Sequence, residues 1–243
     1  MEMGNQFSQN RTIRTQILQE MQSGEYMNCD RLPRESVLAE KLGISRTQLR
    51  DVLASLEREG FITRRHGVGT IINKHVLFSQ ARMDIEVEFL DMIRHCGHEP
   101  AVAFVRAEEG LADTRISQHL RIPIGTPVLK IMRLCTADGR PAIYCEDVLE
   151  KSKVTSKLSQ SDLELPFFQF LQHRCGIIPY LDLTDLRPVI ADEKLSEILQ
   201  VPLGAPLLYM DEVDYDIEGT PVFCSGEYFA DGFFRHTVLR KKL

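Results

Sequence analysis

The 243-residue sequence predicts two α+β domains, an N-terminal one of short helices and a hairpin and a C-terminal one built on an antiparallel sheet. In the first third of the chain, apolar residues recur with a helical period and then change to short strand-like runs. In the remainder, one pattern of helix, tight turn, strand, hairpin turn and strand occurs twice. Two such units should pair into one antiparallel sheet with helices to one side. A chain of this length can bury two modest cores.

Three helices are predicted before residue 60. Ser23 and Gly24 end the first helix, and Pro33 begins the second, which Gly43 ends. Ser45 then caps a longer third helix, because its side chain can accept a hydrogen bond from the first turn. Each helix carries an apolar stripe at helical spacing, so the three should pack into one small core. The stripes are Ile13, Ile17, Leu18 and Met21 in the first, Leu38, Ala39 and Leu42 in the second, and Leu49, Val52, Leu53 and Leu56 in the third.

The residues that follow these stripes predict a DNA-binding surface. The N-terminal end of the third helix is polar and basic off its stripe, as in a recognition helix that contacts bases and phosphates. Strands at residues 61–63 and 70–72 then flank a cationic, glycine-rich turn, which a winged helix-turn-helix sets against phosphate or in the minor groove. Another small helical domain could share single features, but the order of helices and basic hairpin favours DNA binding. The candidate contacts are Ser45, Arg46, Thr47, Gln48 and Arg50 in the helix and Arg64, Arg65, His66, Gly67 and Gly69 in the hairpin.

The same segment contains a specific set of motifs, namely Leu32-Pro33-x-Glu35, Leu38-Ala39, Leu42-Gly43-Ile44-Ser45-Arg46-Thr47, Glu59-Gly60 and Gly67-x-Gly69-Thr70. With these motifs, residues 11–73 resemble the DNA-binding domain of the GntR family of bacterial transcription regulators. Arg34 stands where that family usually has a small residue, and Ser36 stands where an arginine is common. We therefore expect one phosphate or base contact to have moved from position 36 to 34, which adds Arg34 and Ser36 to the candidates.

Charge is distributed unevenly along the chain. Residues 1–75 contain 11 Lys and Arg against 9 Asp and Glu, the remainder contains 18 against 26, and the net charge is −6. This suits a DNA-binding domain at 1–75, a linker at 76–82 and a second domain at 83–243 that does not touch DNA. No apolar run approaches the ~18 residues of a membrane span, and the polar N-terminus is unlike a signal peptide. We therefore expect a cytoplasmic protein with no membrane partner.

The six cysteines are scattered without a CxxC pair, which is typical of buried, reduced thiols in a cytosolic protein. A redox switch is the alternative. His95-Cys96-Gly97-His98 contains three potential metal ligands, but no second cluster with matching spacing accompanies it. We expect His95 to cap a helix end and Gly97 to stop the helix. No metal or other cofactor is expected.

The C-terminal domain shows an internal repeat. Asp138-Gly139 and Glu218-Gly219 are hairpin turns in equivalent places, each followed by one residue and then a proline. The strands on either side of each turn are β-prone. The repeated positions are Leu120, Pro123, Gly125, Pro127 and Leu129, which recur at Leu199, Pro202, Gly204, Pro206 and Leu208 with an offset of 79.

From about Gly97-His98-Glu99-Pro100 to Asp231-x-Phe233-Phe234, this layout resembles the UTRA effector-sensing domain of the HutC branch of GntR regulators, which is related in fold to chorismate lyase. The resemblance implies that a small metabolite binds in a cleft between the sheet and its loops, and that the domain forms a homodimer. It also implies that Arg133, Glu146 and Tyr228 contact the effector. The alternative is that these are strand residues that face solvent or form salt bridges.

Departures from this family indicate the kind of effector. Relatives that sense sugar phosphates tend to have Arg-x-Arg on one strand and a serine and a tyrosine at a helix start. Here these positions are Cys135, Pro166 and Phe168, so three hydrogen-bonding groups for a dianion are absent. We therefore expect a less anionic, more apolar or aromatic effector, not a sugar phosphate, with Phe167, Phe168 and Phe223 in its lining. The alternative is that these phenylalanines belong to the core.

Taken together, the sequence predicts a dimeric, ligand-relieved repressor that binds a short inverted repeat of double-stranded DNA. Activation of transcription by the same mechanism is the alternative to repression. Because the second fold is shared with a lyase, a lyase-like enzyme or a ligand-binding module is the rival prediction. No Ser-His-Asp or Cys-His arrangement, phosphate-cradling loop or metal set supports an enzyme. An architectural DNA-binding protein without a ligand is a third alternative.

Overall fold

The structure, a computed structural model, describes residues 2–154 and 156–241, without the side chains of residues 2–8 and 11. It contains two compact units. The first runs up to Glu86 and also includes the segment that begins at His236, and the second is Val87–Arg235. The sequence places the boundary between residues 75 and 83, whereas the chain here passes between units at 86–87 and again at 235–236. Within the described residues, no helix is long and apolar enough to cross a membrane.

The first unit is a three-helix core with a hairpin. Gly43 ends α2 with a left-handed φ of 66°, and the Ser45 hydroxyl caps α3 by accepting a hydrogen bond from the Gln48 N–H at 3.1 Å. These are the turn and the cap that the sequence predicts, and the apolar stripes meet in one core. The elements are α1 (Glu2–Gln22), α2 (Glu35–Leu42), α3 (Arg46–Arg58), β1 (Ile62–Arg65), β2 (Gly69–Ile72), α4 (Lys74–Leu77) and β3 (Ala81–Arg82).

The hairpin has a third, short partner that the sequence analysis did not anticipate. Arg31 forms an antiparallel bridge with Ile71, and the Leu32 N–H donates to the Thr70 carbonyl at 2.9 Å. Strands β1 and β2 pair antiparallel from Ile62 opposite Ile72 to Arg65 opposite Gly69. The extended residues before α2 thus hold the base of the hairpin against the helices.

The end of the described chain belongs to this first unit. Strand β10 (His236–Thr237) pairs in parallel with β3, and Leu239 packs against the core. The Lys241 ammonium donates to the Glu57 and Arg58 carbonyls at 2.9 and 2.7 Å, at the last turn of α3. A cation at this position satisfies carbonyls that have no partner within the helix.

The second unit is built on a six-stranded antiparallel sheet. The strands lie in the order β4 (Pro100–Leu111), β5 (Pro127–Ala137), β6 (Arg140–Glu150), β9 (Pro221–Ala230), β8 (Pro206–Tyr215) and β7 (Leu181–Ile190). The predicted repeat is present, and each copy begins with a strand that the sequence analysis did not predict, β4 or β7. Asp113 and Asp192 cap the two equivalent helices, each by accepting from a backbone N–H at 2.8 Å. The elements are α5 (Phe89–His95), β4 (Pro100–Leu111), α6 (Thr114–Leu120), β5 (Pro127–Ala137), β6 (Arg140–Glu150), α7 (Gln160–Leu163), α8 (Phe167–Phe170), β7 (Leu181–Ile190), α9 (Glu193–Leu199), β8 (Pro206–Tyr215) and β9 (Pro221–Ala230).

Helices cover both faces of this sheet, so the expectation of helices on one side is wrong. The repeat helices α6 and α9 pack on one face, called here the α9 face. Helices α7 and α8 pack on the other, called here the α8 face, and a π-helical turn at Leu171–Cys175 extends α8. The segment between the two repeats supplies this second layer, and it lies outside the repeated pattern from which the expectation was made.

Candidate functional site

The N-terminal end of α3 presents part of the predicted DNA-contact set to solvent. Arg46 and Thr47 are exposed. Gln48 is partly buried, and its side-chain amide donates to Asn10 Oδ1 of α1 at 3.1 Å. The exposed Arg50 pairs with Glu35 of α2, with Nε and Oε2 2.8 Å apart. The structure therefore leaves Arg46 and Thr47 facing water, while Gln48 and Arg50 also tie the helices together.

The two arginines of the hairpin have different environments. Arg64 is half-buried and bound to Glu57 of α3 through its backbone N–H at 2.7 Å and its Nε at 2.8 Å. Burial acts to raise the pKa of Glu57, but the hydrogen bonds and charge of Arg64 outweigh it and leave that pKa lowered. Arg65 and His66 are exposed beyond this anchor. Arg64 thus holds the hairpin on α3, and the side chains at the tip are exposed.

The tip and the start of α2 complete this surface. Gly67 and Gly69 have left-handed φ angles of 75° and 104°, a backbone conformation that favours glycine. Because glycine has no side chain, the backbone of the tip can approach another molecule closely. Arg34 and Ser36 are exposed at the N-terminal end of α2. Arg31, which was not predicted from the sequence, is exposed and donates from Nη1 to the Val68 carbonyl at 3.0 Å, which braces the tip. Its pairing across 37 residues could not be inferred from local spacing.

In the second unit, the predicted effector residues fall on opposite faces of the sheet. Arg133 lies on the α8 face, where its guanidinium carbon is 5.3 Å from the centre of the Phe167 ring. Glu146 lies on the α9 face, where it accepts from the Tyr144 hydroxyl at 2.7 Å and from Lys194 Nζ at 2.6 Å. Tyr228 is also on the α9 face, packed between Tyr144 and the Tyr209 ring. The structure thus does not bring Glu146 or Tyr228 together with Arg133.

Strand alternation explains this correction. Side chains of successive strand residues point to opposite faces, so an error of one position moves a residue across the sheet. Asp147, one residue beyond Glu146, shares the α8 face with Arg133, and Glu227, one residue before Tyr228, does the same. Asp147 and Glu227, and not Glu146 and Tyr228, are thus the residues that share a face of the sheet with Arg133.

Arg133 is buried but makes no polar contact with the described chain. Only 7% of the residue is exposed. Within residues 2–154 and 156–241, its guanidinium has no hydrogen-bond acceptor and no carboxylate within 4.0 Å, and its contact is the face of Phe167. An arginine cannot shed its proton at physiological pH, so a buried guanidinium needs an acceptor.

Carboxylates face Arg133 from the neighbouring strands. Asp147 is 3% exposed and accepts from the Ser225 hydroxyl at 2.6 Å. Burial raises the pKa of Asp147, although the charge of Arg133 and the hydrogen bond from Ser225 oppose the rise. Glu227 on β9 is also buried.

Glu212 of β8 extends this acidic group. It accepts from Thr184 Oγ1 at 2.9 Å and is hydrogen-bonded to Glu227. Burial raises the pKa of Glu212 to about 7, with a further rise from the charge of Asp182 and opposition from the two hydrogen bonds. Two carboxyl groups in direct contact share a proton, because both cannot easily be charged. The contact with Glu227 thus adds a second buried carboxyl group to the acidic side of this site.

The aromatic residues predicted to line the site belong mainly to the core of the α8 face. Phe167 and Phe223 are buried and meet edge to face with ring centres 5.2 Å apart, whereas Phe168 is partly buried. The N–H groups of Phe167 and Phe168 donate to the carboxylate of Glu88 at 3.2 and 3.0 Å. Sequence analysis did not identify Glu88, which lies about 80 residues away in the chain.

The remaining motifs have structural explanations. Helix α5 ends at His95, and Gly97 has a left-handed φ of 89°, so the predicted stop is confirmed. His98 contacts Asp138, with Nδ1 and Oδ2 2.7 Å apart. All six cysteines are free and five are buried. Burial raises the pKa of Cys135 to about 12, which keeps it a thiol.

Two family models match the chain and correspond to its two units. The model for bacterial regulatory proteins of the gntR family matches residues 9–72, and the UTRA domain model matches residues 95–233. The chain belongs to the GntR family and carries a UTRA domain. The helix-turn-helix and hairpin are thus the DNA-binding domain of this family, and the sheet is its effector-binding domain.

Relatives and solved structures agree with this membership. The HTH-type transcriptional regulator Rv0792c of Mycobacterium tuberculosis is 26% identical over 79% of this chain and 71% of its own length. The HTH-type transcriptional repressor NagR of Bacillus subtilis is 25% identical over 86% of this chain and 84% of its own. The crystal structure of the possible transcriptional regulator YydK from Bacillus subtilis shares the fold, with a TM-score of 0.75, 18% identity, and coverage of 96% of this chain and 99% of the other.

Proposed function

We propose that this protein is a dimeric transcriptional repressor that binds an inverted-repeat operator and releases it when a small effector enters the UTRA domain. The observation that carries the proposal is the exposure of both the N-terminal end of α3 and the basic hairpin tip, in a chain that also contains a buried polar site. Repression is supported by NagR, which is named a repressor. A regulator of this kind acts in the cytoplasm, where bacterial DNA lies.

Dimerisation is supported by one edge of the sheet. Strand β7 is outermost in the sheet order, and apolar side chains along it are largely exposed, with Leu181 at 51% and Leu183 at 65%. An exposed, apolar edge strand favours association unless something covers it. A second copy of the chain is the occupant that a twofold DNA site requires. We therefore propose that β7 lies in the dimer interface.

The effector of this proposal is not a sugar phosphate. Phosphate groups are commonly held by several cations or by backbone N–H groups at a helix start. Here Arg133 is the cation identified on the α8 face, and the N–H groups of Phe167 and Phe168 are already bonded to Glu88. Asp147 and Glu227 would repel a dianion at this position.

In this proposal, the effector causes release of the operator because it binds one arrangement of the dimer more tightly than the other. An effector can shift a regulator between two arrangements only by binding one of them more tightly. In a twofold dimer, a change in the separation of the recognition helices breaks their match to two half-sites about one helical turn apart. The lyase-like enzyme is the disfavoured alternative, because the curated relatives are regulators. Activation of transcription by the same effector-dependent change is the alternative to repression.

The proposal is tested by selecting bound fragments from a random DNA pool with the wild type, Arg46→Ala and Arg58→Ala at two salt concentrations. Arg58 is an exposed arginine at the opposite end of α3 and serves as the matched control. We expect an enriched inverted repeat with the wild type and Arg58→Ala. Loss of a base contact at Arg46 should weaken binding by about 1–3 kcal/mol. Binding that only falls with salt and selects no motif would refute specific operator recognition.

The dimer is tested separately by sedimentation of the full chain. Leu183→Lys places a charge on the exposed edge of β7 and should convert a dimer into a monomer, whereas Leu203→Lys changes an equally exposed leucine in a loop outside β7 and should not. A wild-type monomer, or a dimer that both variants retain, would contradict the proposed interface.

A further inference from the structure

The strongest unexplained feature of the second unit is the Arg133 guanidinium. It is more than nine-tenths buried, and no acceptor in the described chain contacts it. Salt bridges elsewhere in the protein are made by arginines that are mostly more exposed, such as Arg115 with Asp211. A permanent charge with little exposure to solvent and no polar partner in the described chain is unfavourable, so this position favours an incoming acceptor.

Opposite charge lies beside it on the same face. Asp147 sits on the adjacent strand, and Glu227 stands one strand further, in the same row as Arg133 and Cys145. Glu212 is hydrogen-bonded to Glu227 and lies in the neighbouring row, which also contains Asp147, Ser225 and Thr184 of β7. Asp182 of β7 accepts from the Thr184 hydroxyl at 2.8 Å. From the helical layer, Glu88 faces the site and affects the electrostatics of Asp147. Acidic groups thus outnumber the one identified cation, so the site also favours an incoming positive charge or hydrogen-bond donor.

Arg133 and Asp147 do not satisfy each other directly. Each influences the other electrostatically, yet their charged atoms are not within 4.0 Å. The site therefore has an unfilled positive pole and an acidic pole on adjacent strands. Arg133 and Asp147 are diagonal neighbours in the strand register, so their Cα atoms lie about 7–8 Å apart, a separation that a small organic molecule can bridge. Phe167, which lies under Arg133 and against Phe223, supplies an apolar wall between the sheet and α8.

We propose that the effector is a small zwitterion, with a carboxylate that pairs with Arg133 and a protonated nitrogen that binds Asp147 and Glu227. This inference rests on the proposed function in one respect, namely that the α8 face holds the effector. A carboxylate suits a single guanidinium, because the two form parallel hydrogen bonds in one plane. The protonated nitrogen would balance the negative charge of Asp147 and Glu227, which otherwise requires a bound proton or a water molecule. The Phe167 ring would pack against the apolar part of the effector.

The test uses the full chain and thermal-shift measurements followed by calorimetry. The probes are the twenty common amino acids and the ω-amino acids of three to six carbons. Each zwitterion that binds is compared with its matched carboxylate without the amine and its matched amine without the carboxylate. Glucose 6-phosphate and inorganic phosphate form the phosphate arm. We expect a zwitterion to bind, and each half-molecule to bind at least about 10-fold more weakly, because each leaves one buried charge unpaired.

Three variants locate the binding. Arg133→Met should weaken the zwitterion and its carboxylate analogue but not the amine, and Asp147→Asn should weaken the zwitterion and the amine. Glu146→Gln is the matched control, because Glu146 lies on the opposite face and should leave binding unchanged. Since a variant could fail to fold, its melting temperature without probe is measured alongside.

Several results would overturn the inference. These are binding of a phosphate but no zwitterion, binding of no zwitterion at all, or a zwitterion that binds Arg133→Met as tightly as the wild type. The operator selection described above fails or succeeds independently of these results. If the chain selects a specific operator and binds a phosphate as its effector, the zwitterion proposal alone is refuted. If no specific operator is found, the proposed function is refuted.

Discussion

Gly60→Ala should destabilise the DNA-binding unit through the C-terminal segment that packs on it. Gly60 has a φ of 82°, and a Cβ at this position would overlap with Cδ2 of Leu239. The left-handed backbone alone costs an alanine about 1–2 kcal/mol. Displacement of the half-buried Leu239 side chain should add about 1–2 kcal/mol, less than the cost of truncating a fully buried leucine. The expected total is about 2–4 kcal/mol.

Gly67→Ala provides the matched control. Gly67 has a similar φ of 75°, but nothing lies within 4 Å of the point that an alanine methyl group would occupy, so only the backbone cost of about 1–2 kcal/mol applies. The difference between the two substitutions therefore measures the contact with Leu239. In Leu239→Ala the overlap at residue 60 is relieved, so adding Gly60→Ala to that variant should cost no more than Gly67→Ala does.

The assay is urea unfolding combined with hydrogen exchange of the α3 amides, which follows the first unit without relying on the second. Equal losses for Gly60→Ala and Gly67→Ala would refute the reasoning. So would strict additivity of Gly60→Ala and Leu239→Ala, because contacting residues should show a coupling energy. Either result would mean that the segment after His236 does not stabilise the DNA-binding unit in solution.

Two further predictions concern the second unit. Because the pKa of Glu212 is raised to about 7 in the folded chain, the neutral group contributes stability below the ordinary glutamate pKa, and this is lost as pH rises through 7. Urea unfolding should therefore show the wild type losing stability between pH 5 and 8 and Glu212→Gln losing less; parallel pH profiles would contradict the assignment. Glu88→Ala leaves the N–H groups of Phe167 and Phe168 without their acceptor and should lower the free energy of unfolding by about 1 kcal/mol. Glu88→Gln, which keeps an acceptor oxygen, should lose less stability in the same urea unfolding measurement. Equal losses for the two variants would mean that the charge of Glu88 stabilises the fold and that its capping hydrogen bonds do not.

The local elements of this protein could be predicted from its sequence because their causes are local. Ser45 caps α3 through a backbone group three residues away, and Gly43 and Gly97 end helices by adopting a left-handed backbone that other residues avoid. The repeated proline and glycine positions of the second unit likewise specify each turn within a few residues. Arg133 was chosen by resemblance to the family, and its contact with the effector stays a prediction.

The face of the sheet that each side chain occupies was decided by register, and register depends on pairing between distant strands. Glu146 and Tyr228 are each one position from a residue that shares a face with Arg133. Because strand side chains alternate between the two faces, a shift of one position places a side chain on the opposite side of the sheet. Contacts across long sequence separations were equally invisible. Glu88 meets the start of α8, and Lys241 meets the end of α3, because the folded chain brings together groups that no spacing relates. The sequence by itself thus determined the helices and hairpin of the first unit, the repeat of the second unit and the family. The tertiary structure alone decided which charges face one another, since only three-dimensional packing sets their distance and burial.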